Sequence, residues 1–143
     1  MNLRTYNLAD IIRLKAHIKE HYAREYLKNK KFNIFSPDWI CETEDGELFF
    51  VEVKHKEPFE KGINCDFDGQ GMPYRQYKNY MSQYKKLGIR CKLIVYEVGS
   101  CLILEQWLDV LEEAPKNKKA YLEKGKIMLW SRDQFVEVGR WKD

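Results

Sequence analysis

The chain has 143 residues, of which 44% are hydrophobic and 33% are charged. This length suits a single domain, residues 1–143, and the hydrophobic content excludes an intrinsically disordered chain. Its 25 basic and 22 acidic residues give a net charge of +3, which is only weak support for a polyanionic partner. No apolar run approaches the ~18 residues that span a membrane, and the first residues lack the apolar stretch of a signal peptide. We therefore expect a soluble, cytoplasmic protein that makes no contact with a membrane.

The first half of the chain predicts one helix followed by a β-hairpin. Between Leu8 and about Lys28 there is no Gly or Pro, and apolar residues recur at helical spacing. An aromatic and β-branched stretch over 32–41 then leads to Asp45-Gly46, a dipeptide that strongly favours a hairpin turn. The apolar run from Leu48 to Lys54 predicts a strand that is buried on both sides and has a charged end.

The second half alternates between irregular, helical and extended patterns. We predict an irregular segment over 55–73, a helix that Pro73 opens and Gly88 ends, a strand over 91–98, a short helix over 104–113 and a hairpin over 127–138. This order of elements predicts an α/β fold in which α-helices flank a mixed β-sheet.

Charged residues at the end of the predicted strand point to a functional site. Side chains two apart in a strand share a face, so Glu52 and Lys54 lie together, and burying such charges without partners is costly. If Asp45-Gly46 is a two-residue turn, Asp38 lies opposite Val53. A three-residue loop would shift the register by one and place Asp38 opposite Glu52 or Lys54. Every plausible register therefore brings Asp38, Glu52 and Lys54 together.

Two neighbouring carboxylates repel each other unless a positive charge lies between them. Oxygen ligands favour a hard divalent cation, Mg²⁺ or Mn²⁺, which can activate water for attack on a phosphate. Lys54 would orient that water or stabilise the negative charge that develops on the phosphorus centre. Glu-x-Lys alone is a weak signal that also fits a surface salt bridge. The prediction depends on its occurrence together with Pro-Asp and the hairpin.

At these residues the sequence resembles the PD-(D/E)xK nuclease superfamily. Pro37-Asp38 and Glu52-Val53-Lys54 match its pattern, with residues 39–51 between the two acids. The resemblance implies a restriction-endonuclease-like fold, Asp38 and Glu52 as catalytic metal ligands and Lys54 as a catalytic residue. It also implies that the backbone carbonyl of Val53 joins the metal ligands.

A second part of the resemblance lies downstream, at Gln76-Tyr-Lys-Asn-Tyr80. This segment is similar to a motif of lambda-exonuclease-type nucleases, and phage-like VRR-type and Holliday-junction-resolvase-type nucleases also carry a glutamine helix here. The resemblance implies that Gln76 is near the active site and Tyr80 near DNA, although simple helix packing would also explain both. His55, which follows the motif lysine, is predicted to be a strand-end or substrate contact. The resemblance covers roughly residues 20–96, and it gives no indication of the role of residues 99–143.

Many members of this superfamily place a further acid on the first helix, where it reaches the metal. Glu20 and Glu25 are the candidates in this chain. Glu20 is favoured as a metal ligand because its distance before Asp38 is closer to the usual one, although either residue alone could be a solvated glutamate.

The predicted function is Mg²⁺-dependent hydrolysis of DNA phosphodiester bonds, with endonuclease action preferred over exonuclease action. One alternative is a catalytically inactive nucleic-acid-binding module of the same fold, and another is a protein–protein adaptor with a chance motif. The modest charge predicts limited unaided affinity for duplex DNA, which leaves room for a homodimer or a protein partner. The sequence leaves open which DNA structure, or RNA, is the substrate.

Overall fold

Two β-sheets and two α-helices form the part of the chain that this computed structural model describes, residues 3–5, 37–63 and 65–141. The strands are β1 (Leu3–Thr5), β2 (Trp39–Thr43), β3 (Leu48–Lys56), β4 (Gly69–Pro73), β5 (Arg90–Glu97), β6 (Leu102–Trp107), β7 (Lys119–Leu122), β8 (Ile127–Ser131) and β9 (Val136–Arg140); the helices are α1 (Tyr74–Leu87) and α2 (Leu108–Glu112). Neither of these two helices is long and apolar enough to cross a bilayer. The predicted first helix, over 8–28, lies outside the described residues.

The larger sheet has the strand order β1-β2-β3-β5-β6-β9, and the smaller sheet has the order β4-β8-β7. In the larger sheet β3 and β5 run parallel, whereas the other neighbouring strands run antiparallel. The sheet is therefore mixed, with α1 and α2 packed against it, and the predicted α/β class is confirmed.

The hairpin between β2 and β3 forms as predicted, but with the three-residue loop. Trp39 pairs with Val51, and Thr43 donates a 2.9 Å backbone hydrogen bond to Glu47. Gly46 closes the loop at φ +83°, a conformation that glycine adopts without steric cost. Of the two registers that the sequence left open, the one with the two-residue turn is therefore excluded. Continuing the observed register by one residue places Asp38 level with Glu52.

Helix α1 begins after Pro73 and ends at Gly88, as predicted. Gly88 adopts φ +69°, and its N–H donates to the carbonyl oxygen of Tyr84, which caps the last turn. On the inner face of the helix, Tyr77 and Tyr80 pack into a core that contains Phe50 of β3. The opposite face of β3 is also buried, against a second apolar cluster that contains Phe49, Val51 and Trp107. Burial on both faces confirms the prediction for this strand.

The helix predicted over 104–113 is wrong in its first half, where the chain continues as β6. Leu104, Leu108 and Leu111 are all buried, and their spacing of four and three residues imitates a helical stripe. Leu104 is nevertheless in a strand, because β6 pairs with β5 on one side and β9 on the other. Within the predicted segment, only Leu108–Glu112, which form α2, are helical.

Two further predictions about chain segments need correction. The irregular segment predicted over 55–73 begins with the end of β3 and finishes with β4, a strand that Gly69, Gly71 and Pro73 conceal from pattern analysis. The hairpin predicted over 127–138 does not form, since β8 pairs with β4 and β7 whereas β9 joins β6 in the larger sheet.

Candidate active site

Strand β3 carries the acid and the base of the predicted motif on its inner face. Glu52 is 4% exposed and lies two residues after the core residue Phe50, on the same face of the strand. The Lys54 ammonium lies 2.9 Å from Oε1 of Glu52 and donates a 2.6 Å hydrogen bond to Oε1 of Gln76. Lys54 is therefore held between a strand residue and a helix residue, and three predicted site residues meet at one ammonium group.

Helix α1 supplies the other contacts, because Gln76 and Tyr80 are four residues apart and share a face of the helix. The Tyr80 hydroxyl donates a hydrogen bond to Oε2 of Glu52. Burial raises the pKa of this hydroxyl, and the neighbouring Cys91 and Glu52 raise it further, so Tyr80 stays protonated and remains a donor. Both carboxylate oxygens of Glu52 thus have a fixed partner.

Asp38 lies at the open end of the hairpin, with its side chain exposed. Its Oδ2 accepts a 2.9 Å hydrogen bond from the Val53 N–H, which ties the first motif to the second. Burial raises the pKa of the Cys91 thiol, and the negative charges of Glu52 and Asp38 raise it further. The negative charges of both carboxylates therefore reach the Cys91 thiol.

The donor set suits a hard cation in its chemistry, since Asp38, Glu52 and the Val53 carbonyl all offer oxygen. Within residues 3–5, 37–63 and 65–141, no three His, Cys, Asp or Glu side chains are close enough together to hold a metal ion. Two carboxylates come from the described residues, and the predicted third, Glu20 or Glu25, lies outside them.

His55 and Tyr80 occupy positions that bear on their predicted contacts with nucleic acid. His55 is exposed on the face of β3 opposite Lys54, and its ring meets the Trp141 ring edge-on at 4.8 Å between centroids. Tyr80 is only 2% exposed. Its burial and its bond to Glu52 favour a role in positioning that carboxylate, and contact with nucleic acid stays a prediction for both residues.

Sequence reasoning missed two charged features beside this site. Lys56 continues the inner face of β3 after Lys54, and the period-two pattern could have found it. Glu97, at the end of β5, is fully buried and accepts hydrogen bonds from Gln70 at 2.9 Å and from Arg132 at 2.6 and 3.0 Å. These partners are 27 and 35 residues away in sequence, so no local pattern indicates the pairing.

Comparisons with protein families, curated proteins and solved structures give different results for this chain. No protein-family model matches the sequence, and no curated protein matches it. The fold is similar to that of Hjc, a Holliday junction resolvase from the archaeal hyperthermophile Archaeoglobus fulgidus, with a TM-score of 0.44 and 10% sequence identity. The match covers 82% of this chain and 94% of the Hjc chain.

Proposed function

We propose that this protein is a divalent-metal-dependent nuclease of the PD-(D/E)xK type, which hydrolyses phosphodiester bonds in DNA. The observation that carries the proposal is the position of the Lys54 ammonium, which contacts both Glu52 and Gln76. Asp38 is tied to the same strand through Val53. These contacts between residues that are distant in sequence support the proposal.

Asp38, Glu52 and the carbonyl of Val53 would hold the metal ion, together with Glu20 in its predicted role. A bound Mg²⁺ or Mn²⁺ would polarise the phosphate and lower the pKa of a coordinated water. Tyr80 and Lys54 hold the two oxygens of Glu52 in fixed directions, and such support around a ligand typically affects activity by about 10–100-fold.

Lys54 is suited to stabilise the additional negative charge that a phosphoryl group develops during attack. Its ammonium has three donors, two of which are directed at Glu52 and Gln76, so the third can reach a phosphate oxygen or the attacking water. Because the Gln76 amide oxygen accepts from Lys54, its NH₂ group points away and can donate to the same phosphate.

DNA is the preferred substrate and internal cleavage the preferred mode of action. A homodimer or a partner protein would increase an affinity for DNA that the modest net charge limits. The order of a hairpin, a glutamine-bearing helix and a strand parallel to β3 supports the PD-(D/E)xK assignment.

The test is a cleavage assay on supercoiled plasmid, linear duplex and a four-way junction, each with Mg²⁺, Mn²⁺ or EDTA. Lys54→Ala should abolish metal-dependent cutting. Lys92→Ala is the matched control, because Lys92 is also a strand lysine paired with a glutamate, Glu105, at 3.4 Å, but it lies on the opposite face of the sheet beside Trp107. Equal cutting by both variants would show that the activity does not arise at this site.

One observation favours the inactive nucleic-acid-binding module as a second candidate. Lys54 and Tyr80 already occupy both oxygens of Glu52, and a metal ion would have to displace or share one of these contacts. Calorimetry with Mn²⁺ separates the candidates. If the protein is a nuclease, it should bind the ion, and the Asp38→Asn, Glu52→Gln protein should no longer bind it. If it is an inactive module, it should bind DNA in EDTA without measurable ion binding. A chance motif in an adaptor predicts neither.

A further inference from the structure

Lys56 extends the row of charged side chains on the inner face of β3. Alternation along the strand places Glu52, Lys54 and Lys56 on one face. The Cα atoms of neighbouring members of this row are about 6.7 Å apart along the strand. Lys56 is half-buried, and its ammonium lies over the ring of Phe59, 5.0 Å from the centroid. Phe59 is itself fixed by two 2.9 Å backbone hydrogen bonds with Gly69. The Lys56 side chain therefore rests on a rigid aromatic surface beside the candidate active site.

Among the residues that the structure describes, Lys54 is paired with an acid and Lys56 is not. In the ranges that the structure describes, no carboxylate forms an ion pair with Lys56. Its neighbour across the strand pair, Glu97, has its carboxylate engaged by Arg132, Gln70 and Ser100.

The ammonium groups of Lys54 and Lys56 lie on one face of the strand and repel each other. A bound anion would offset this repulsion. Burial lowers the pKa of Lys56, and the positive charge of Lys54 lowers it further. An anion that contacts Lys56 would reverse this penalty, since opposite charge favours the ammonium form. The anion must approach from the solvent side, because Phe59 covers the other side of the side chain.

We propose that Lys56 binds a backbone phosphate of the nucleic acid next to the one at which Lys54 acts. This inference rests on the proposed function and specifies how that site holds its substrate. Lys56 is a binding residue in this proposal, and it sets the register of the strand relative to Glu52 and Lys54. A phosphate diester is favoured over a carboxylate ligand because a chain of phosphates can satisfy two lysines at successive positions.

The test compares Lys56→Gln, Lys56→Arg and a control, Lys85→Gln, in binding to a fluorescein-labelled DNA duplex in EDTA at several KCl concentrations. Lys85 is an exposed lysine in the last turn of α1, at the other end of the helix from Gln76, and its loss changes the net charge equally. We expect Lys56→Gln to bind about tenfold more weakly at moderate salt and to reduce the salt slope by about 1. Lys56→Arg and Lys85→Gln should remain close to wild type, and thermal melting verifies that each variant is folded.

A second arm locates the phosphate. In cleavage reactions with Mg²⁺, the phosphates that flank the cut are replaced one at a time by uncharged methylphosphonates. One replacement should slow the wild type and leave Lys56→Gln unaffected, which is the coupling expected of two groups in contact. If Lys56→Gln binds and cuts like Lys85→Gln, the role of Lys56 is refuted while the nuclease stands. If the wild type neither binds nor cuts DNA, both proposals fall.

Discussion

The Tyr80 hydroxyl links the core of the protein to Glu52, the acid that the proposed nuclease chemistry requires. Its ring packs in the core beside Phe50, with 6.2 Å between centroids, and its hydroxyl donates to Glu52. Tyr80→Phe keeps the ring and removes the hydroxyl, leaving one oxygen of a buried carboxylate without its donor. We expect a loss of about 1–2 kcal/mol in stability and a 10–100-fold decrease in kcat with little change in KM.

Steady-state cleavage kinetics and urea unfolding measure these two effects. Tyr84→Phe is the control, because Tyr84 follows one turn later on the same helix but is exposed. A Tyr80→Phe protein that loses stability and keeps its full kcat would show that the hydroxyl serves folding alone.

Asp133 provides a second prediction for a single residue, concerning acid stability. Hydrogen bonds from Lys118, Gln134 and Ser131, the first being the strongest cause, lower the pKa of Asp133 from 3.8 to about 2. A carboxylate with a depressed pKa in the folded state stabilises the protein above its unfolded pKa, and this contribution is lost as the pH falls. Asp133→Asn should therefore lower Tm by roughly 1–2 °C above pH 4, since the pair is exposed, with the difference from wild type vanishing near pH 2.

Melting curves between pH 2 and pH 7 measure this difference. Lys118→Gln removes the main partner and should reproduce the pattern. A constant difference in Tm across the whole pH range would contradict the assigned pKa.

At the scale of elements, β4 and β8 approach each other most closely at a glycine of β4, Gly71. A Cβ atom at Gly71 would lie 2.1 Å from the carbonyl oxygen of Met128 and 3.0 Å from Cα of Leu129. These are backbone atoms, so the strands themselves must separate. Gly71→Ala should destabilise the protein by about 3 kcal/mol, measured by urea unfolding.

Gly139 in β9 is the matched control for this prediction. A Cβ there would meet only the side chain of Ile103, at 3.9 Å, which is an ordinary contact. Gly139→Ala should change stability by less than about 0.5 kcal/mol. Similar losses in both variants would mean that the distance between β4 and β8 is not the limiting factor.

The elements that sequence analysis predicted correctly are those whose local signals agree with their tertiary contacts. Helix α1 has a proline before it, a glycine after it and an apolar stripe between, and the run from Leu48 is apolar enough to indicate a buried strand. The failures depend on pairing between distant segments. β9 follows β8 closely in sequence, yet it completes the exposed edge of β6, and no property of the intervening residues indicates that choice.

The candidate site shows the same division. Glu52 and Lys54 could be predicted because two residues of one strand share a face. Gln76 was identified only through a resemblance, and its contact with Lys54 spans 22 residues. Glu97 and Arg132 have no such resemblance, and they meet only because β5 and the segment after β8 end side by side.

At the scale of the whole molecule, charge balance limits the affinity for nucleic acid that the proposed function predicts. The net charge is only +3, and Lys54, Arg90, Lys92, Lys118 and Arg132 each form an ion pair with an acidic side chain. A basic residue that is already paired contributes less to the release of counterions from DNA. These five of the 25 basic residues are therefore expected to contribute less to DNA affinity, whereas Lys56 forms no ion pair within the described residues.

Unaided binding to a linear duplex should therefore be weak, with a dissociation constant of about 10⁻⁶–10⁻⁴ M at 0.15 M salt. The logarithm of the association constant should fall with the logarithm of salt concentration with a slope of about −3 to −5, corresponding to few phosphate contacts. Fluorescence anisotropy over a range of KCl measures both quantities, and sedimentation at the same concentrations reports whether two copies bind together. Nanomolar binding by a single copy at 0.15 M salt would contradict this prediction. Tight binding that appears only as the chain dimerises would instead mean that two sites act on one DNA molecule.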